Sequence, residues 1–239
     1  MHIIRLTIDS ENFPCQDCYP FNISPIQKTG SLTLHSPITF LIGENGTGKS
    51  TLLKAIAHAC NIYIWSGISR ERYHYNKYED QLYRYLKVFW NGETVPGSFF
   101  GSDSFQNFAH ILDEWAASDP GVLTYFGGES LMTKSHGQCN MAYFSSRFKI
   151  NGLYLMDEPE AALSPKKQIE LVKILRNASR TGYAQFIIAT HSPILLAIPE
   201  GDILSFDHEK IQRTEYEDTD YFRIFSDFMK DRHAFMKDD

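Results

Sequence analysis

No apolar run in the 239 residues reaches the roughly 18–20 that a membrane-spanning helix requires. The best candidate, residues 186–198, is interrupted by Thr190, His191, Ser192 and Pro193. An excess of basic charge is also missing. There are 23 Lys and Arg against 29 Asp and Glu, a net charge of −6, which confines any nucleic-acid contact to a local basic face. The negative excess lies wholly in residues 200–239, where 12 acidic side chains face 6 basic ones. Cysteine is scarce, with four residues, too few for a disulfide framework. Cys15 and Cys18 have zinc-like spacing, but no second such pair completes four ligands, so reduced thiols in a cytoplasmic protein are expected. The N-terminus lacks the apolar core of a secretory signal. Internal repeats, low-complexity tracts and long linkers are absent as well, and the composition is that of an ordinary globular chain. One domain over 1–239 is the expectation.

Three short apolar runs are present: 36–42 (SPITFLI), 152–156 (GLYLM) and 184–189 (AQFIIA). Continuous apolar strands of this length suit burial on both faces of a mainly parallel sheet, whose ligand loops follow the strand ends. Between the second and third, apolar residues at Ile169, Val172, Leu175 and Ala178 predict a helix that stops near Gly182. The pattern predicts an α/β core. Residues 61–100 mix Tyr63, Tyr73, Tyr75, Tyr78, Tyr83 and Tyr85 with Arg70, Arg72, Lys77, Arg84 and Lys87, and predict a peripheral insertion. Those side chains suit either base stacking with phosphate neutralisation or, the favoured reading, a half-exposed antiparallel sub-sheet. Residues 101–150 predict a helical sub-domain. In 220–239, Tyr221, Ile224, Phe225 and Phe228 share one face, which predicts an amphipathic helix docked on the core.

Each of the three runs ends in residues with chemical capacity. After the first comes Gly43-Glu-Asn-Gly-Thr-Gly-Lys-Ser50, which fits the phosphate-binding pattern G-x-x-x-x-G-K-[ST] between a strand and a helix. Gly43, Gly46 and Gly48 let the backbone through Asn45 and Thr47 curl so that N–H groups converge on phosphate oxygens. The following helix adds its positive end, Lys49 a cation for the β- and γ-phosphates, Ser50 a hydroxyl for Mg²⁺, and Thr51 a further hydrogen bond. After the second run stand Asp157 and Glu158, a Walker B pattern. Asp157 is the candidate to hold Mg²⁺ through water and Glu158 the candidate to activate the water that attacks the γ-phosphate. His191 follows the third run, 34 residues beyond Asp157, and is a candidate γ-phosphate donor.

In order and spacing these elements resemble the ABC-type ATPase superfamily. The segments ENGTGKSTLLKAIA, KSHGQ, GLYLMDEPEAALSP and QFIIATHSPILLA are closer still to small stand-alone AAA-labelled ATPases related to SMC and RecF heads. The resemblance implies a P-loop fold with an antiparallel β sub-domain and a helical sub-domain. It also implies ATP with Mg²⁺, hydrolysis, and a head-to-tail homodimer that holds two ATP molecules in its interface. Ser135, Gly137 and Gln138 would then approach the partner's γ-phosphate, and the loop 160–164 would contact the partner. His136 stands where the family has a glycine. For the Q-loop residue, which helps hold the metal, Asp103 and Gln106 compete. Lys49 and Ser135 are 86 residues apart, without the heptads of an SMC arm. Three functions follow: an ATPase head whose closure is read by a separate effector protein or nucleic acid, the nucleotide-binding subunit of a transporter with a separate membrane subunit, and a non-hydrolysing ATP sensor of a defence system.

Overall fold

The computed structural model describes residues 1–65, 76–126, 128–130, 133 and 135–236. The strands are β1 (Ile3–Ile8), β2 (Ser31–Thr33), β3 (Ile38–Ile42), β4 (Leu86–Trp90), β5 (Gly97–Gly101), β6 (Gly152–Asp157), β7 (Ala184–Ala189), β8 (Asp202–Ser205) and β9 (Gln212–Thr214). The helices are α1 (Ser24–Lys28), α2 (Lys49–Ala59), α3 (Phe105–Ser118), α4 (His136–Arg147), α5 (Pro165–Arg180), α6 (Pro193–Leu196) and α7 (Asp220–Lys230). A six-stranded sheet runs in the order β5-β6-β7-β3-β8-β9, parallel throughout except for the β8–β9 pair. A smaller antiparallel sheet has the order β2-β1-β4.

The three apolar runs become adjacent strands, β6-β7-β3, at the centre of the large sheet. Their residues are buried on both faces, which is why they lack polar alternation. Ile38, Phe40, Tyr154, Met156, Phe186 and Ile188 face one core with Phe144 of α4 and Leu171 and Leu175 of α5. Leu41, Leu153, Leu155 and Ile187 face the other, where Leu52, Leu53 and Ile56 of α2 lie between the large sheet and Ile3, Leu6 and Leu86 of the small one. The helix behind the first strand is thus held from two sides.

Three sequence expectations need correction. The antiparallel sheet is not built from 61–100 alone: it joins β4 to the N-terminal β1 and β2, while β5 joins the edge of the parallel sheet beside β6. Phe99 and Phe100 point into opposite cores, so a strand there completes the large sheet. Cys15 and Cys18 form a disulfide. The turn that follows, in which Phe21 and Asn22 N–H donate to the Cys18 carbonyl, is part of a compact fold that brings their Cα atoms to 5.6 Å. Finally, α7 docks only through its first turn. Tyr221 packs on the core, but Ile224, Phe225 and Phe228 are 57%, 54% and 37% exposed, and the ring that Phe228 meets is Phe235 of the C-terminal turn that follows, not the core.

Among the tyrosines of 61–100, Tyr78, Tyr83 and Tyr85 pack against the second core, Tyr78 and Tyr85 edge-on to Phe21. None of the three lies in a strand: Tyr78 is in a turn and Tyr83 and Tyr85 are in the 3-10 turn that precedes β4, so they pack on the core from a connecting segment and not as the face of the expected sub-sheet. Tyr73, Tyr75, Arg70 and Arg72 lie outside the described residues.

One buried polar side chain fastens the two sheets. Gln185, fully buried on β7, accepts from the N–H of His2 and Ile3 at 2.7 Å each and donates to the Ile3 carbonyl at 2.9 Å. Gln185→Ala should lower unfolding free energy by about 2–4 kcal/mol, because it leaves two donors and one acceptor without partners in a closed space. Urea titration checks this; a loss within error would show that water replaces the clip.

Candidate functional site

The ends of β3, β6 and β7 lie side by side, so the loops after them meet at one edge of the sheet. After β3 the chain turns through Gly43 to Gly48. Gly48 has φ +101°, and a Cβ there would fall 2.7 Å from Ile23 Cγ2, so the turn into α2 accepts no side chain. Asn45 and Gly46 are exposed at the loop's apex, and Thr47 Oγ1 donates to the Glu44 carbonyl at 2.8 Å. The first helical bond of α2 is Leu52 N–H to the Gly48 carbonyl, so the N–H groups of Lys49, Ser50 and Thr51 precede it.

The Lys49 ammonium is buried and donates to the carbonyls of Gly43 (2.6 Å) and Glu44 (2.9 Å). No carboxylate forms an ion pair with it among the described residues. Burial lowers its pKa, and Asp207, Glu158, Asp157 and Glu44 act in the opposite sense. Ser50 Oγ donates to Asp157 Oδ1 at 2.8 Å. Burial raises the Asp157 pKa against the effect of that bond. Thus the predicted Ser50 and Asp157 meet, both with hard oxygen atoms of the type Mg²⁺ takes.

Glu158 follows with φ +49°, a left-handed conformation rare outside glycine, and its N–H donates to the Ala189 carbonyl at 2.9 Å. This turn brings Glu158 Oε1 to 3.8 Å from His191 Nε2. His191 is itself oriented from two directions. Glu160 Oε1 accepts from Thr190 Oγ1 and from the His191 N–H, each at 2.7 Å. On the other side, Tyr221 Oη lies 2.9 Å from His191 Nδ1. Burial, then Lys49, depresses the His191 pKa.

Four residues of this site escaped the sequence reading. Tyr19 Oη is 3.0 Å from Thr51 Oγ1, and it borders a cleft of about 700 Å³ shared with Ile23, Gly46, Thr47, Phe206 and Asp207. Asp207 Oδ1 accepts from the Glu44 N–H at 2.7 Å. Its position was partly readable by the same rule as the others, a short mostly apolar stretch (203–206, ILSF) that ends in a carboxylate, although Ser205 interrupts it. Glu160 was expected to face a partner but is spent on the His191 loop. Tyr221 comes from the far end of the chain, with no local signal.

The remaining predicted residues lie elsewhere. Ser135 and Gln138 form a reciprocal cap at the start of α4: Gln138 N–H donates to Ser135 Oγ at 3.4 Å, and Ser135 N–H to Gln138 Oε1 at 3.1 Å. A Cβ on Gly137 would meet the Ala162 carbonyl at 2.6 Å, so its packing against 160–164 demands glycine. None of the three contacts the P-loop of its own chain through a described hydrogen bond. Asp103 is exposed in the turn after β5, where the neighbouring Ser102 N–H donates to the Asp157 carbonyl at 3.2 Å. The Gln106 side chain lies outside the described residues. No cluster of three or more His, Cys, Asp or Glu able to hold a metal occurs among the described residues, so any cation at Ser50 and Asp157 needs ligand or water oxygens as well.

The donor set fits a magnesium-bound polyanion. Lys49 is a buried cation satisfied only by carbonyls, which an anion would displace. His191 Nε2 is closed off from solvent without a hydrogen-bond partner among the described residues.

Two family models match the chain: "AAA domain, putative AbiEii toxin, Type IV TA system" over residues 134–197, and "AAA domain" over residues 21–79. Among curated proteins, the chain is 22% identical to the ribose import ATP-binding protein RbsA 2 of Burkholderia ambifaria, over 91% of this chain and 45% of that protein. It is 23% identical to the ferric enterobactin transport ATP-binding protein FepC of Escherichia coli, over 73% of this chain and 74% of that protein. The chain thus spans about half the length of the RbsA 2 proteins it matches. The fold is similar to that of cbiO1 from Clostridium perfringens, part of the ABC transporter complex cbiONQ, with a TM-score of 0.55 and 14% identity over 98% of both chains. No described helix is long and apolar enough to cross a membrane.

The Glu160 carboxylate holds the His191 loop through its bonds to Thr190 and His191, and that has a measurable consequence. Burial raises its pKa. Glu160→Gln keeps an acceptor oxygen, whereas Glu160→Ala should cost about 1–3 kcal/mol by stranding the Thr190 and His191 donors. An acid whose folded pKa is raised is penalised once it ionises. The stability of Glu160→Gln relative to wild type should therefore increase as pH rises from the ordinary carboxylate range through the raised folded value. Thermal unfolding of all three proteins across pH checks both; equal behaviour of the Ala and Gln variants would remove Glu160 from this role.

Proposed function

We propose that the chain is an ABC-type ATPase, to which its family-model matches, relatives and fold are similar, and that it binds ATP with Mg²⁺ at the loop 43–51 and hydrolyses it at the interface of a closed homodimer. The observation that carries this reading is the convergence of a carbonyl-held buried lysine, the Ser50–Asp157 pair and His191 on one loop edge. Lys49, released from the Gly43 and Glu44 carbonyls, would neutralise the β- and γ-phosphates, and the Lys49–Thr51 N–H groups would receive phosphate oxygens. Mg²⁺, held by Ser50 and Asp157, would offset charge on those oxygens. Glu158, exposed in its strained turn, would orient and deprotonate the attacking water. Tyr19 and the cleft beside it offer an apolar wall for the adenine and space for the ribose.

Ser135, Gly137 and Gln138 sit at the start of the 12-residue helix α4, away from the P-loop of the same chain, so a second chain's triphosphate is their proposed ligand. A separate effector protein would read the closure. A second reading, the nucleotide-binding subunit of a transporter, is favoured by the similarity to RbsA 2, FepC and cbiO1, and a membrane subunit that copurifies with the chain would select it.

Glu158→Gln with ATP and Mg²⁺ should elute as a stable dimer in size exclusion with light scattering. Adding Lys49→Ala should return it to monomer, since losing a charged phosphate contact costs roughly 10–100-fold in nucleotide affinity. A Glu158→Gln protein that stays monomeric at saturating ATP would contradict the dimer.

A further inference from the structure

The ATP reading assigns no task to Tyr221, although this side chain joins three parts of the site. It lies on the first turn of α7, and its hydroxyl donates to the Gly43 carbonyl at 2.9 Å while standing 2.9 Å from His191 Nδ1. A phenol has one hydrogen and a carbonyl oxygen has none to give. The Tyr221 hydrogen is therefore committed to Gly43, and the second bond needs a proton on His191 Nδ1. Neutral His191 is then bare at Nε2. The surroundings agree: Nε2 is closed off from solvent without a hydrogen-bond partner among the described residues, and Glu158 Oε1 is 3.8 Å away, beyond hydrogen-bond range.

A bare nitrogen lone pair repels a phosphate oxygen. We propose that Tyr221 is a positioning residue that holds His191 in the Nδ1–H form, so that Nε2 donates to the γ-phosphate only after taking up a proton, and ATP binding is coupled to that uptake. This inference rests on the ATP reading given above. The proton comes from solvent, forms the Nε2–H bond and breaks no other.

The charged and titratable groups around the imidazole set the direction. Lys49 at the start of α2 opposes its protonation; Glu44 of the phosphate loop, Glu158 after β6 and Asp207 after β8 favour it. Glu160 accepts from the His191 N–H, and Tyr221 closes the remaining side. Burial dominates and depresses the His191 pKa, so the nucleotide-free ring is neutral near pH 7, while a bound triphosphate adds negative charge and raises it. ATP affinity should therefore be undiminished at low pH and fall with rising pH, by at most about tenfold per unit for one proton. Removing the Tyr221 hydroxyl frees Nδ1 of its acceptor and lets the neutral Nε2–H tautomer form. The proton is then no longer required.

Two measurements test this. In nucleotide-free protein with ¹⁵N-labelled histidine, long-range ¹H–¹⁵N spectra should show His191 protonated at Nδ1 at pH 7.5 or above, and Tyr221→Phe should shift it toward Nε2–H. Calorimetry of ATP with Mg²⁺ at pH 7.5, in two buffers of different ionisation enthalpy, should show uptake of about 0.5–1 proton by wild type and substantially less by Tyr221→Phe. An Nε2–H tautomer in the wild type, or equal proton uptake in both proteins, would overturn the proposal. If wild type gives no binding heat, the ATP reading fails and the coupling with it, whereas the tautomer spectrum still decides what Tyr221 does to His191.

Discussion

Two charges that burial disfavours stand at the centre of this molecule. The Lys49 ammonium is enclosed with only the carbonyls of Gly43 and Glu44 as partners, and Asp157 is enclosed with one hydroxyl, that of Ser50. Their pKa values move toward each other, down for the lysine and up for the aspartate, because each pays for desolvation that no direct ion pair offsets. A phosphate chain with a divalent cation supplies what both lack, an anion for one and a cation for the other. Such a site is electrostatically incomplete by construction, and the fold around it serves to keep it so.

The sheet provides that constraint. Parallel pairing of β3, β6 and β7 places three loop starts side by side, and burial on both faces leaves these strands no freedom to slip. The helix α2 is clamped between two hydrophobic cores, so the N–H groups at its start cannot turn away from the loop edge. Glu160 and Tyr221 then orient His191 from opposite sides, and Gln185 ties the small sheet to the strand that ends at this loop. Positional precision here comes from ordinary packing plus a few buried polar contacts.

Much of this was legible in the sequence, for a physical reason. Strands buried on both faces are short apolar runs, and phosphate loops need glycine at fixed offsets, so residues 38–51, 152–158 and 184–191 announce themselves locally. The residues that escaped are those whose role depends on distant chain. Tyr19 reaches Thr51 and Tyr221 reaches Gly43 across 32 and 178 positions, and no periodicity encodes such meetings. The Cys15–Cys18 bridge depends on a turn, and composition alone pointed to free thiols. The apolar pattern of α7 was correctly read as amphipathic, but a pattern says only that a face is apolar, not that the same chain covers it. Ser135 and Gly137 show the reverse: a motif read for its chemistry also has a complete structural use, as a helix cap and as a close backbone contact.

The most direct test of an electrostatically incomplete site is calorimetric titration of the folded wild-type chain with ATP, with and without Mg²⁺. Saturable binding with Mg²⁺ that weakens markedly when the metal is chelated is the expected result. Folded protein that binds no ATP in either condition, or binds it equally well without the metal, would contradict the account of Lys49 and Asp157 as two halves of one ligand site.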